Sequence, residues 1–189
     1  MSLIEFDNKH TDKNTVHSYL NLYEKLLKPI KKCKNVLEIG IGDFKLKNGG
    51  SLLLWRKYFT EAIIHGVDIL PLNRVLDSVI NDKKIKLYCS KNAYDKTFIE
   101  KYLKNKKFDF LLDDGPHTLS SQEKFIELYS PLISENGILI IEDVQDIKWL
   151  EKLKNKTPEN LKKYIKTYDL RKNKNRYDDI VFTIDKVNT

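Results

Sequence analysis

The stretch Phe108-Asp-Phe-Leu-Leu-Asp-Asp-Gly-Pro-His117 opens as an apolar run of strand length and ends in two carboxylates, a Gly-Pro turn and an imidazole. An apolar run stopped by turn residues reads as a buried strand. In an open parallel α/β sheet, ligands gather at the carboxyl ends of the strands. Asp113, Asp114 and His117 are therefore expected to face one crevice. Two acids suit a hard divalent cation, and an imidazole beside them suits a general base. The competing reading is an Asp-Gly-Pro turn whose carboxylates only cap backbone amides. Gly137-Ile-Leu-Ile-Ile-Glu-Asp143 repeats the pattern of an apolar run ending in acids.

Elements must position these groups. Val16, Tyr19, Leu20, Tyr23, Leu26, Leu27 and Ile30 recur at helical spacing and predict an amphipathic helix over 15–30. Strands are expected at 36–40, 62–68, 85–89, 108–113 and 137–143. Between them, helices are expected at 51–60, 72–80, 95–105 (with Asp95 as N-cap) and 120–129 (with Ser120 as cap). Helical segments at 146–153 and 158–163 precede two late strands at 164–170 and 180–184. The short polar connection at 171–179 favours an antiparallel pair. The alternation predicts a doubly wound α/β fold, its first five strands parallel. Of the histidines, His65 reads as a packed core residue and His10 is expected outside the ordered fold.

The 189 residues suit one domain: an N-terminal loop and helix over 1–34, then an α/β core over 35–189. No apolar run reaches the ~20 residues of a membrane span, and residues 1–10 lack a signal-peptide core. Cys33 and Cys89 are too few for a disulfide framework, which fits a reducing, cytoplasmic setting. The net charge of +7 permits a polyanion partner, but the lysines are spread along the chain rather than gathered in a patch, so nucleic acid is not favoured.

Glu38-Ile-Gly40-Ile-Gly42 follows the first strand, where glycines allow close approach of a cofactor. Asp68 ends the second strand, where an acid can accept ribose hydroxyls; a helix cap is the other reading. A tight strand-to-helix turn would equally explain the glycines, and residues 43–50 are expected to form an extra loop.

Together these motifs resemble the class I S-adenosylmethionine-dependent methyltransferases. Thr11-Asp-Lys13, His17-x-Tyr19, Tyr23-Glu24, Gly49-Gly-Ser-Leu52 with Trp55 and Tyr58-Phe59, Asp113-Asp-Gly-Pro-His117 and Ile141-Glu-Asp143 occur in the order seen in the macrocin and mycinamicin sugar O-methyltransferase group, related to cephalosporin-hydroxylase-like sequences. Some members carry a large extra N-terminal domain, which is not expected here. The resemblance implies a Rossmann-like, seven-stranded, mostly parallel sheet with a C-terminal antiparallel hairpin. It implies S-adenosyl-L-methionine held by Glu38, Gly40, Gly42, Ser51, Asp68, Asn92 and Asp113. It also implies Mg2+ or another divalent cation on Asp114 and Asp143, with Glu142 as rival ligand, and His117 as base. Pro116 stands where the family usually has Ser. Ser90-Lys91-Asn92 replaces the usual Gly-Asp-Gln. Lys13, His17, Tyr19 and Glu142 are candidate substrate contacts, although helix packing is an equal reading of Tyr19 and Tyr23. The implied acceptor is a sugar or glycan hydroxyl. Alternatives are methyl transfer to a nucleic acid or a catechol-like diol, or a non-catalytic cofactor-binding subunit. Oligomeric state is open, with a homodimer among the options.

Overall fold

The computed structural model describes residues 2–6, 10–42 and 47–188. The strands β1 (Asn35–Ile39), β2 (Ile63–Val67), β3 (Ile85–Tyr88), β4 (Phe108–Asp113), β5 (Ile133–Ile141), β6 (Ile165–Asp169) and β7 (Ile180–Asp185) form one sheet. Their order is β3-β2-β1-β4-β5-β7-β6. Strands β1 to β5 are parallel, and β7 lies antiparallel between β5 and β6. The expected doubly wound sheet and closing antiparallel pair are both present. The second strand of that pair takes the inner place because it is apolar on both faces and buried throughout, whereas β6 alternates with lysine and stays half-exposed.

Among the described residues, the α-helices are α1 (Leu20–Leu27), α2 (Gly50–Tyr58), α3 (Asp77–Ile80), α4 (Lys96–Phe98), α5 (Leu119–Tyr129), α6 (Trp149–Lys156) and α7 (Arg171–Lys174). The two-residue period of the strands divides the core. Val36, Phe110, Leu112, Ile138 and Ile140 face α1, α2 and α3, around Trp55 and Phe59. Leu37, Leu111, Leu139 and Ile141 face α4, α5 and α6, around Phe125 and Tyr129. His65 is buried as expected, stacked on Tyr88, and burial lowers its pKa to about 4.

Several boundaries differ from expectation. The helix expected from residue 15 begins at Leu20. Residues 10–19 instead run as turns across the ends of β4 and β5, because Lys13, His17 and Ser18 bond to buried acids. The segment 72–80 splits into a 3-10 turn and α3, with Val75 between them bridged to Asn48. Thr118, not Ser120, caps α5: its Oγ1 accepts from the Ser121 amide at 3.2 Å. α4 continues as a wider turn over Ile99–Leu103. β5 begins earlier than Gly137, with a register shift opposite Phe108 and Phe110. Of the loop expected over 43–50, residues 43–46 lie outside the described residues.

Candidate active site

Ile39, Asp113 and Ile141 stand abreast in β1, β4 and β5. Gly40, Asp114 and Glu142 therefore leave the sheet side by side. The Asp114 amide donates to the Ile39 carbonyl at 2.9 Å and the Glu142 amide to the Asp113 carbonyl at 3.1 Å. The chain reverses its winding between β1 and β4, so this is the switch-point crevice of the sheet. His117 and Asp143 both adopt left-handed backbone, with φ of 54° and 50°. Non-glycine residues in that region cost on the order of 1 kcal/mol and are held there by their surroundings.

Asp114, His117 and Asp143 come together, with one ligand atom from each within 4.8 Å of the others. His117 Nε2 lies 3.8 Å from Asp114 Oδ1 and 3.5 Å from Asp143 Oδ2. Each carboxylate has its second oxygen anchored. Asp114 Oδ2 accepts from Lys13 Nζ at 2.6 Å. Asp143 Oδ1 accepts from the Tyr19 hydroxyl and lies 3.3 Å from His17 Nδ1. His17 is itself fixed by Asp179 at 2.7 Å, and Ser18 Oγ donates to the same acid at 2.8 Å. Burial, with the neighbouring Asp114 charge, raises the Asp143 pKa, while His117, His17 and Tyr19 oppose that rise. Two inward carboxylate oxygens are the donor chemistry a hard divalent cation takes.

Glu142 is turned away from this cluster. Its Oε2 accepts from Lys13 Nζ at 2.6 Å and its Oε1 from the Tyr23 hydroxyl. Lys13, His17, Tyr19 and Glu142, expected at the substrate, are all buried and form a layer beneath the cluster. Their partners are the acids at the strand ends, which is why they are inside. Tyr23 and Asp179 complete that layer. Asp179 carried no signal in the sequence beyond its polarity.

Beside the cluster lies a cavity of about 560 Å³. Its walls are Ile41, Gly42, Gly49, Gly50 and Ser51 on one side, Asp114, Gly115 and His117 on another, and His10, Thr11, Asp12 and Thr15 on a third. His10 is thus part of the site wall rather than outside the fold. Glu38 is fully buried behind the wall, accepting from Ser51 Oγ at 2.8 Å and Trp55 Nε1 at 3.0 Å. Burial pushes its pKa up to about 7. Asp68 braces the glycine turn: its carboxylate accepts from the Ile41 amide at 2.7 Å and the Leu70 amide at 2.9 Å. Those bonds leave about half of a carboxylate's lone-pair sites for another donor. Asn92 is exposed and caps its own turn through the Tyr94 amide. Neither Asp68 nor Asn92 is on the cavity wall.

Asp113 is enclosed behind Gly115 and accepts from the Tyr94 hydroxyl. Tyr94 is a site neighbour with no distinguishing motif in the sequence. Burial pushes the Asp113 carboxyl up to about 7, which the Tyr94 bond only partly offsets. The folded chain thus holds a proton that the unfolded chain releases at lower pH. This contribution is fully present below the ordinary carboxyl pKa of 3.8 and is lost as pH rises through about 7. Unfolding of metal-free protein in urea, compared between pH 5 and pH 8, is expected to show it. Asp113→Asn, which keeps an oxygen for Tyr94, should lessen the fall in stability by about 1–2 kcal/mol. An unchanged slope in the variant would contradict the assignment.

The strand order, the antiparallel seventh strand and the glycine turn after β1 define the class I S-adenosylmethionine-dependent methyltransferase fold. Within that class, the MycE methyltransferase from the mycinamycin biosynthetic pathway, solved in complex with Mg, SAH and mycinamycin VI, matches 89% of this chain and 49% of its own at TM-score 0.68 and 20% identity. The fibrillarin pre-rRNA processing protein of Methanococcus jannaschii matches 82% of this chain and 67% of its own at TM-score 0.60 and 15% identity.

In sequence, the chain is similar to curated sugar O-methyltransferases. The 8-demethyl-8-alpha-L-rhamnosyl tetracenomycin-C 2'-O-methyltransferase of Streptomyces olivaceus is 25% identical over 74% of this chain and 36% of the relative. The L-olivosyl-oleandolide 3-O-methyltransferase of Streptomyces antibioticus is 27% identical over 71% and 34%. The mycinamicin VI 2''-O-methyltransferase of Micromonospora griseorubida is 28% identical over 60% and 28%. The aligned part of the chain spans about a third of the length of these relatives. No protein-family model matches it.

Proposed function

We propose that this chain is an S-adenosylmethionine- and divalent-cation-dependent O-methyltransferase acting on a sugar hydroxyl of a glycan or glycosylated small molecule. The observation that carries the reading is the Asp114–His117–Asp143 cluster, two of whose members, Asp114 and His117, line the same cavity as the glycine turn. The sugar class rests on the curated relatives, each named for methylating a glycosylated compound or its sugar. Among the described residues, no helix is long and apolar enough to cross a membrane.

When bound, the cofactor supplies a methyl group on a sulfonium, and the cation lowers the pKa of an acceptor hydroxyl. Asp114 Oδ1 and Asp143 Oδ2 are the oxygens that would hold the cation, and Tyr19, His17 and Lys13 fix their directions. Ile41, Gly42, Gly50 and Ser51 form the wall along which the cofactor would lie. His117 Nε2, part-buried between the two acids, would take the proton of an acceptor hydroxyl bound in the crevice. Holding both reactants in one crevice supplies much of the remaining acceleration.

The test is cation-dependent formation of S-adenosylhomocysteine with a panel of glycosylated acceptors. A chelator is expected to abolish turnover and Mg2+ or Mn2+ to restore it. Asp143→Asn should lose restoration at cation levels that saturate the parent. Turnover that survives chelation would refute the metal reading, and activity on polynucleotides alone would refute the sugar reading.

A further inference from the structure

The cluster and the layer beneath it hold more carboxyl groups than one cation needs. Asp114, Glu142 and Glu38 meet at one point, the last two fully buried, and Asp143 stands beside Asp114 on the His117 side. Carboxylates are the ligands hard divalent ions take, and where two such ions share a site they lie about 3.5–4 Å apart. In this chain the space among three of the acids is taken by the Lys13 ammonium. Lys13 Nζ lies 2.6 Å from Asp114 Oδ2, 2.6 Å from Glu142 Oε2 and 3.5 Å from Glu38 Oε1, with no solvent exposure. A lysine is almost never fully buried unless paired, and this one meets three acids. Asp114 is the shared group: Oδ2 serves the ammonium and Oδ1 faces His117 and the open position. Glu38 Oε1 is buried without a hydrogen bond, and the Lys13 ammonium is the cation it faces.

We propose that the Lys13 ammonium is a built-in second cation, which restricts the centre to a single divalent ion. The inference rests on the metal reading above. It also explains why the segment over 10–19 lies across the strand ends: it delivers that charge. A lysine serving only to fasten this segment would stabilise the fold but leave the number of bound ions unchanged.

The experiment is a Mn2+ titration of the purified chain, followed by electron paramagnetic resonance of free and bound ion. Wild type is expected to bind one Mn2+ per chain with an isolated six-line spectrum. Lys13→Ala, which removes charge and leaves space, should bind two and show a broadened, exchange-coupled spectrum. Lys13→Met, which refills the space without charge, should return to one, as should the double variant Lys13→Ala/Glu142→Gln. Two ions in wild type, or one in Lys13→Ala at millimolar Mn2+, would overturn the proposal. If Lys13→Ala precipitates without metal, it is refolded into Mn2+. Recovery as a two-ion protein supports the proposal, and failure to recover counts against it. No bound Mn2+ in wild type would instead remove the metal reading itself, so the two failures are told apart.

Discussion

Replacing His117 with alanine is expected to leave S-adenosylmethionine binding within about twofold and to lower kcat by about 10²–10⁴-fold, the usual worth of a positioned general base. The asymmetry follows from position. The imidazole sits between the free oxygens of Asp114 and Asp143, and among the described residues it bonds to none of the glycine-turn residues that line the same cavity. Its backbone has φ of 54°, a cost of about 1 kcal/mol that histidine and alanine both carry. Asparagine tolerates that backbone and cannot take the proton, so His117→Asn separates strain from chemistry. Titration calorimetry with the cofactor and single-turnover methyl transfer are the measurements. A variant that keeps its kcat would remove His117 from the reaction, and one that loses cofactor affinity would make it a structural residue.

Gly40→Ala is expected to destabilise the chain by about 3 kcal/mol or more and to weaken cation binding with it. A Cβ at Gly40 would fall 1.9 Å from the Asp114 carbonyl oxygen and 2.9 Å from the Gly115 Cα, and the residue has φ of 79°. Both obstacles are backbone, so no side chain can swing aside. Relief requires the ends of β1 and β4 to part, which moves Asp114. Gly49→Ala is the comparison: its φ of 101° is also unfavourable, but the nearest atom is a Val79 methyl at 3.1 Å. Its cost should stay near 1 kcal/mol. Urea unfolding of the two variants side by side is decisive, since equal losses would mean that the approach to Asp114 is not the reason for the glycine.

The sheet was legible because its central strands are apolar runs with a polar stop, and such runs have few other places to go. The grouping of Asp114, His117 and Asp143 was legible for the same reason, since strand ends share one edge. The role of the segment before α1 was not. Val16, Tyr19 and Tyr23 have helical spacing, yet Lys13 finds its acids 101 and 129 residues further along the chain. No local pattern marks a lysine for burial when its partners are that remote. Nor could the sequence choose between Glu142 and Asp143, which are neighbours with the same charge. The proposed assignment to Asp143 rests on the position of its Oδ2 facing His117 and on Lys13 and Tyr23 bonding to Glu142. The glycines were legible as a tight turn, but the atoms crowding Gly40 and Gly42 belong to Asp114 and Asn48, from other parts of the chain.

Asp179, at the entry to β7, grips His17 and Ser18, and His17 in turn leans on Asp143. The last part of the polypeptide is therefore a remote brace for the proposed centre, whose candidate groups all precede it. A chain ending soon after β5 would retain every atom that meets the acceptor, yet it would lose the aim of one of them. Transplanting the crevice onto another scaffold would have to carry the closing hairpin along.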